Sequence, residues 1–418
     1  MGQTIAEKIF SNKVGSRVYA DDMVWADVDL MVGTDGTVPL TLSILQGHNI
    51  GKLTASDRTV FVIDHFSPAK DIHTANSAQL VRKFAEIYDI RLFEAGEGIC
   101  HVLVPDKGLV KPGMLIVGAD SHTCTYGALG ALSVGIGSTD LAFAMSIGKL
   151  WFKVPKTIKI NIHGKKRRNV SGKDIILYIL KHLGVDGANY SVLEMAGDAL
   201  SDLDMADRFS MCNMATEMGA KSVIFPFDEI AERYVNERTS KDCNGEVCPD
   251  VNANYSRIID INIEKIQPQI ACPYSPDNVQ RVSTVEGIRI DQVALGFCTN
   301  GRLEDFRRAT RYLKNKKIND KVRLLIIPGS KDILHQMIKE GIAEILVEAG
   351  GTICPSTCGP CVGGHMGVLG DSEVGLYTSS RNFIGRCGDR TSKVYLCSPD
   401  TAAYSALFGY IKEPPVNI

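Results

Sequence analysis

The sequence predicts an α/β protein of three consecutive domains. Three observations carry that prediction. Strand-like runs alternate with longer helical ones along the whole chain, several runs end in Gly- or Ser-rich loops, and 418 residues suffice for two or three cores at roughly 150 residues each. In the first third, residues 60–64, 91–93 and 114–118 are short β-prone runs, each followed by such a loop and then a periodic segment. The pattern changes at 151–156. An alternating strand at 157–162 is followed there by the basic turn Gly-Lys-Lys-Arg-Arg at 164–168, expected as the solvated tip of a hairpin rather than a phosphate patch. A second alternating strand at 258–263 leads into a Pro-containing stretch at 267–276, read as a return to the sheet and then a linker. From 291 the βα pattern resumes with strands at 293–296 and 323–327, the latter closed by Pro328-Gly329, and one helix over 333–349. The expected domains are 1–153, 154–285 and 286–418. No internal repeat and no low-complexity segment interrupts them.

Composition removes several classes of function. Apolar residues make up 44% and charged residues 22%, and 46 Lys+Arg against 48 Asp+Glu leave a net charge of −2, so no basic excess points to nucleic acid or an anionic membrane. The first residues lack the pattern of a secretion signal, Ala6 stands where a myristoylation signal needs Ser or Thr, and no apolar run is long enough to span a bilayer. A cytoplasmic protein is expected. Twelve cysteines are then the oddity, because a reducing compartment disfavours disulfides. Cys100, Cys212, Cys243, Cys248, Cys272, Cys387 and Cys397 are expected as small apolar fillers.

The remaining cysteines fall in chemically pointed places. Cys358 and Cys361 form a C-x-x-C in a Gly/Pro loop, without the second pair that zinc wants and without a thioredoxin-like context. An iron–sulfur cluster is left, with two candidates for a third thiolate. Cys354 gives the C-x3-C-x2-C spacing of radical enzymes that cleave S-adenosylmethionine, and Cys298 lies at the strand-to-loop corner Gly-Phe-Cys-Thr-Asn-Gly of 296–301. Either choice leaves one of four irons open to substrate as a Lewis acid. Histidines supply a second constellation: Asp64-His65, His101 and Asp120-Ser-His122 all follow predicted strands, at the edge where open α/β sheets bind ligands. Carboxylates beside imidazoles suit proton transfer near neutral pH. Arg381 and Arg386 offer guanidinium forks for a carboxylate, and Asn213 and Glu217 lie four apart, on one face if that segment is helical.

Taken together, these loops resemble the large, cluster-bearing subunit of the two-chain aconitase-like hydro-lyases. The resemblance runs through Asp64-His65, Gly-Ala-Asp-Ser-His-Thr at 118–123, Cys-Asn-Met-Ala-Thr-Glu-Met-Gly at 212–219, Cys-Thr-Asn-Gly at 298–301, Cys-Gly-Pro-Cys at 358–361 and Arg-Asn-Phe-Ile-Gly-Arg at 381–386. It implies three α/β domains around a [4Fe-4S] cluster held by Cys298, Cys358 and Cys361, one iron lacking a protein ligand and Cys354 a bystander. It further implies that His101 works with Asp120 and His122 with Glu217, that Asp64 and His65 move protons around the substrate hydroxyl, and that Ser121, Asn213, Arg381 and Arg386 bind substrate. The family's swivelling fourth domain, with its active-site Ser, has no counterpart before Ile418, so a separate small subunit is the expected partner, in a heterodimer or heterotetramer. Phe297 and Ser380 depart from the family's usual Ser and Asn.

The implied reaction is dehydration and rehydration of a 2-hydroxy di- or tricarboxylic acid, of the isopropylmalate-isomerase type in leucine biosynthesis. Homoaconitase-like and 2,3-dimethylmalate- or methylmalate-dehydratase-like activities are the alternatives. An RNA-binding iron sensor fits poorly with the near-neutral charge.

Overall fold

The computed structural model describes residues 2–239, 245 and 247–417. Its first unit is a five-stranded, all-parallel sheet in the order Arg91–Phe93, Thr59–Val62, Leu30–Thr34, Leu115–Gly118, Leu132–Gly135. Parallel strands are covered on both faces, which is why Leu-Met-Val-Gly-Thr at 30–34 and Leu-Ile-Val-Gly at 115–118 are buried throughout instead of alternating. From Leu30–Thr34 the chain builds outward to one edge, then returns to Leu115–Gly118 and builds to the other. The order therefore reverses between these two central strands, and a crevice opens beyond their carboxyl ends. At the opposite end of this unit, Met23–Asp27 and Lys149–Lys153 form a separate antiparallel ribbon.

The second unit is a four-stranded parallel sheet, Ser222–Ile224, Ser191–Ala196, Lys156–His163, Arg257–Asn262. Lys156–His163 alternates in burial as its sequence does. The basic residues 164–168 connect this strand to the helix Gly172–Leu183 and are not a hairpin tip, because the neighbouring strand is a parallel one far along the chain. Lys166 pairs with Asp207, and Arg167 Nε donates to the Glu264 carbonyl at 3.0 Å.

The third unit is a seven-stranded mixed sheet in the order Val279–Arg281, Gln269–Ala271, Lys393–Cys397, Val374–Tyr377, Gln292–Gly296, Arg323–Ile327, Gly351–Ile353. Part of the stretch expected as a linker is thus strand, since Gln269–Ala271 lies antiparallel to Lys393–Cys397. This sheet has its own reversal, between Gln292–Gly296 and Val374–Tyr377. The helix expected over 333–349 is two helices, Lys331–Lys339 and Ile342–Glu348, broken where Gly341 takes φ 71.

One buried apolar cluster runs from the first sheet (Val62, Ile116) through the second (Ile160, Leu193) to the third (Ala294, Leu396), so the three units share a core at their meeting faces. Ten cysteines are buried free thiols. Cys248 is exposed, which corrects its reading as a buried filler, and Cys243 lies outside the described residues. Among the described residues no helix is long and apolar enough to cross a membrane.

Candidate active site where two sheet edges meet

Three aspartates end up on the carboxyl edge of the first sheet. Asp35 shapes the turn after Thr59–Val62: its Oδ1 accepts from the backbone N–H of Asp64 (3.0 Å) and His65 (2.8 Å), and its Oδ2 from Phe66 (3.0 Å). Asp64 then places Oδ1 2.7 Å from His65 Nδ1, while its Oδ2 accepts from Cys100 N at 2.7 Å and so anchors the helix Cys100–Asp106 that carries His101. Asp120 caps the 3-10 helix Ser121–Leu129 by accepting from His122 N at 2.8 Å. The same Oδ1 lies 2.8 Å from His101 Nε2, and Oδ2 lies 3.6 Å from His65 Nε2.

Electrostatics follow from this geometry. Burial opposes charge on Asp120, but His101, His122 and His65 outweigh it and hold the carboxyl well below the usual carboxylate range. Burial likewise opposes charge on His65, yet Asp64 and Asp120 raise its imidazole well above the ordinary histidine value. His122 is also raised, burial and Arg381 being overcome by Asp120 and Glu217.

The second and third units close the other side. Helix Met205–Met214 tightens into a 3-10 turn over Ala215–Met218, so Asn213 and Glu217 do not share one α-helical face; each instead reaches a different part of the crevice. Glu217 Oε1 accepts from Arg381 Nε at 2.8 Å and lies 3.3 Å from His122 Nε2. Arg381 Nη2 donates to Ser121 Oγ at 2.9 Å, and Ser380 Oγ is 3.0 Å from His122 Nε2. Both Ser380 and Arg381 follow Val374–Tyr377, at the reversal point of the third sheet.

Asn213 Nδ2 donates to Thr125 Oγ1 (2.9 Å) and to Cys298 Sγ (3.3 Å). Cys298 stands just past the end of Gln292–Gly296, where Gly296 at φ 130 and Phe297 at φ 69 turn the chain into a four-residue helix. A Cβ on Gly296 would meet the Ile327 carbonyl, and a left-handed Phe is a strained choice held here by stacking of its ring on Tyr377.

Cys358 caps the 3-10 turn Gly359–Val362 and Cys361 lies within it, and Cys358 N donates to the Asp64 carbonyl at 3.0 Å, stitching this loop to the first sheet. Burial pushes the Cys298 and Cys358 thiols well up, and the three sulfurs lie near enough that Cys361 adds to the rise at Cys298, and Cys298 and Cys361 to that at Cys358. Cys354 takes no part in this, its Sγ lying 3.8 Å from the Thr352 carbonyl. Three buried thiols in one place form a soft donor set able to hold an iron–sulfur cluster, since a bound cationic centre removes the penalty of burying thiolates. Arg386 is tied to the same loop through Nε to the Cys361 carbonyl at 3.0 Å.

Other residues of the site were not among the sequence candidates. Asp35 organises Asp64 and His65, and Ser380, marked in the sequence only as a departure from the family's usual Asn, contacts His122 directly. Lys173 is completely buried and donates to the Thr378 (3.1 Å) and Ser379 carbonyls, immediately ahead of Ser380 and Arg381. An Asp following a β-prone run is the one hint that could have singled out Asp35.

The chemistry available is proton exchange along an imidazole–carboxylate chain, next to a guanidinium pre-set for an anion and a thiol trio suited to a cluster. Residues 7–287 and 279–409 match the aconitase family (aconitate hydratase), and the chain belongs to that family. It is 47% identical over 418 residues to the 3-isopropylmalate dehydratase large subunit of Sulfurimonas denitrificans, covering 99% of this chain and 100% of that one. To the subunit of the same name from Caldicellulosiruptor saccharolyticus it is 48% identical over 415 residues, with 98% and 96% covered. The crystal structure of Thermococcus kodakaraensis aconitase X in its holo form superposes with a TM-score of 0.51 at 14% identity, covering 98% of this chain and 93% of that one, a likeness of fold alone.

Proposed function

We propose that this chain is the catalytic large subunit of a 3-isopropylmalate dehydratase, moving a hydroxyl between neighbouring carbons by dehydration and rehydration in leucine biosynthesis. The observation that carries the reading is the convergence of a thiol trio, an imidazole–carboxylate chain and a held arginine in one crevice, in a chain matching such subunits from end to end. Cys298, Cys358 and Cys361 are the proposed ligands of a [4Fe-4S] cluster with one iron free of protein, which when bound supplies a Lewis acid for the substrate's hydroxyl and carboxylate.

The chain's own residues do the rest. Arg381, braced by Ser121 and Glu217, binds a substrate carboxylate, with Arg386 beside it. His65, kept protonated by Asp64 and Asp120, gives its proton to the departing hydroxyl so that it leaves as water. Asp120 fixes the His101 ring, Glu217 and Ser380 fix that of His122, and Asn213 donates to the Cys298 sulfur. The carbon-bound proton is taken by a group on a separate small, swivel-domain subunit, a partner implied by the large-subunit names of the relatives. Rehydration retraces these transfers at the neighbouring carbon.

The test is an anaerobic assay of the reconstituted chain with its cognate small subunit, following the unsaturated acid by ultraviolet absorbance with 3-isopropylmalate, homocitrate and 2,3-dimethylmalate in parallel. Turnover of 3-isopropylmalate that needs both chains is expected; preference for another acid would replace the substrate, and no turnover with a full cluster would remove the reading. Iron content separates the ligand sets: Cys298→Ala should lose the cluster and Cys354→Ala keep it, whereas the reverse would favour the radical-enzyme trio.

A further inference from the structure

The antiparallel ribbon Met23–Asp27 with Lys149–Lys153 serves nothing in the site, which lies at the other end of the first sheet. Yet it holds both tryptophans of the chain. Trp25 and Trp151 are direct cross-strand partners on the outward face, 53% and 51% exposed, and Phe143 lies 5.9 Å from Trp25 between ring centroids. Neither strand pairs with any further strand among the described residues. Two large aromatic residues left side by side in water are costly for a surface that does nothing, and Trp is the residue most enriched where binding energy concentrates.

Charge says what covers them. The segment 21–27 carries Asp21, Asp22 and Asp27 and no basic residue, whereas 149–156 carries Lys149, Lys153 and Lys156 and no acidic one. Within one chain these already pair loosely across the ribbon, Asp27 with Lys149 at 3.4 Å and Asp21 with Lys153 at 2.8 Å, all partly exposed. The face is therefore complementary to itself. We propose that this ribbon joins two copies of the chain face to face about a two-fold axis parallel to its strands. Such an axis lays the acidic strand of each copy over the basic strand of the other: Trp25 meets the second copy's Trp151, Asp27 its Lys149, and Met23 the aliphatic stem of its Lys153. A two-fold axis across the strands would set Lys149 against Lys153, so the charge pattern selects the first arrangement. The inference stands on the ribbon alone and does not depend on the reaction.

Sedimentation of the full chain, alone and with the cognate small subunit, tests it. Two copies per particle at micromolar concentration are expected. Asp21→Lys with Asp27→Lys makes a strongly basic ribbon, only Asp22 remaining acidic, and Lys149→Glu with Lys153→Glu a strongly acidic one, only Lys156 remaining basic. Each should weaken self-association at least tenfold, and an equimolar mixture of the two should recover paired particles containing one of each. Trp151→Lys, which leaves the ion pairs alone, should show the same loss with the helical signal of the native chain. One copy per particle at every concentration would overturn the proposal. So would variants that still pair, a mixture no more associated than its parts, or a small subunit that shields the tryptophans of a single copy.

Discussion

Arg381 is held from two sides before any substrate arrives, its Nε by Glu217 and its Nη2 by Ser121. A lysine could reach one of these partners but not both, so Arg381→Lys should cut kcat/KM on the order of a hundredfold while leaving the fold intact, measured by steady-state kinetics beside a thermal melt. Lys173 acts one step further back. Burial lowers its ammonium to about 8, and its bonds to the Thr378 and Ser379 carbonyls set the backbone from which Ser380 and Arg381 project. Lys173→Met fills similar space but leaves two buried carbonyls unpaired, at about 1–3 kcal/mol each. We expect KM to rise about tenfold with a smaller change in kcat, because the loop proposed to hold the carboxylate is what loosens; equal losses in both would point to a merely structural role. Nothing in the sequence distinguishes Lys173 from a surface lysine, since only the packing of the third unit over its helix buries it.

The helix Gly172–Leu183 shows the same effect at the scale of an element. Ser171 and Asp174 form its capping box, and Asp174 also accepts from Gln269 N at 2.9 Å, so the helix start is buried under the third sheet. Burial raises Asp174 to about 6 from an ordinary 3.8, its backbone bonds only partly compensating. The folded chain therefore keeps a proton between about pH 4 and 6 that the unfolded chain has already released. Stability from this group is fullest near pH 4, falls as pH rises through 6, and is flat above, a change of about 3 kcal/mol. Asp174→Asn removes the titration, so its stability relative to the parent should climb by roughly that amount between about pH 4 and 7 in urea unfolding; a constant offset would contradict the assignment. Elements like these mark where sequence reading stops. Runs such as 114–118 and 157–162 are legible because burial on two faces or one leaves a compositional trace, and the strands follow it. The strand Gln269–Ala271 is settled by a partner distant in sequence, which local pattern does not report, whereas the break at Gly341 is local and has its sign in the glycine itself.

For the whole molecule, the decisive feature is that two sheets turn their reversal points toward each other. The first contributes Asp35, Asp64 and Asp120 and the third contributes Cys298, Ser380 and Arg381, while Asn213 and Glu217 enter from the second unit. The loops holding Asp64, Asp120, Cys298 and Arg381 are legible as motifs because each follows a β-prone run, whereas Asn213 and Glu217 come from a helix and the 3-10 turn after it and Asp35 leaves little local trace; the convergence of all of them depends on how three separately built units dock. That docking leads to a prediction about the cluster. Cys298 reaches the second unit through Asn213, and the loop with Cys358 and Cys361 reaches the first through Cys358 N and Thr357 Oγ1 to the Asp64 carbonyl. A cluster bridging these thiols would tie all three units, and a ligand that binds only the folded state stabilises it by mass action, about 4 kcal/mol at a thousandfold excess over Kd. Chelating the iron from the reconstituted chain under anaerobic conditions should therefore lower its thermal midpoint by several degrees, since each kcal/mol is worth about 2–4 °C in a domain of 150–250 residues and less in a larger cooperative unit. It should also open residues 354–366 to protease before the rest of the chain. Cys298→Ala should melt like the stripped protein and respond to chelation no further. A midpoint indifferent to iron, in a sample whose cluster is spectroscopically full, would mean that these three thiols are not what holds it.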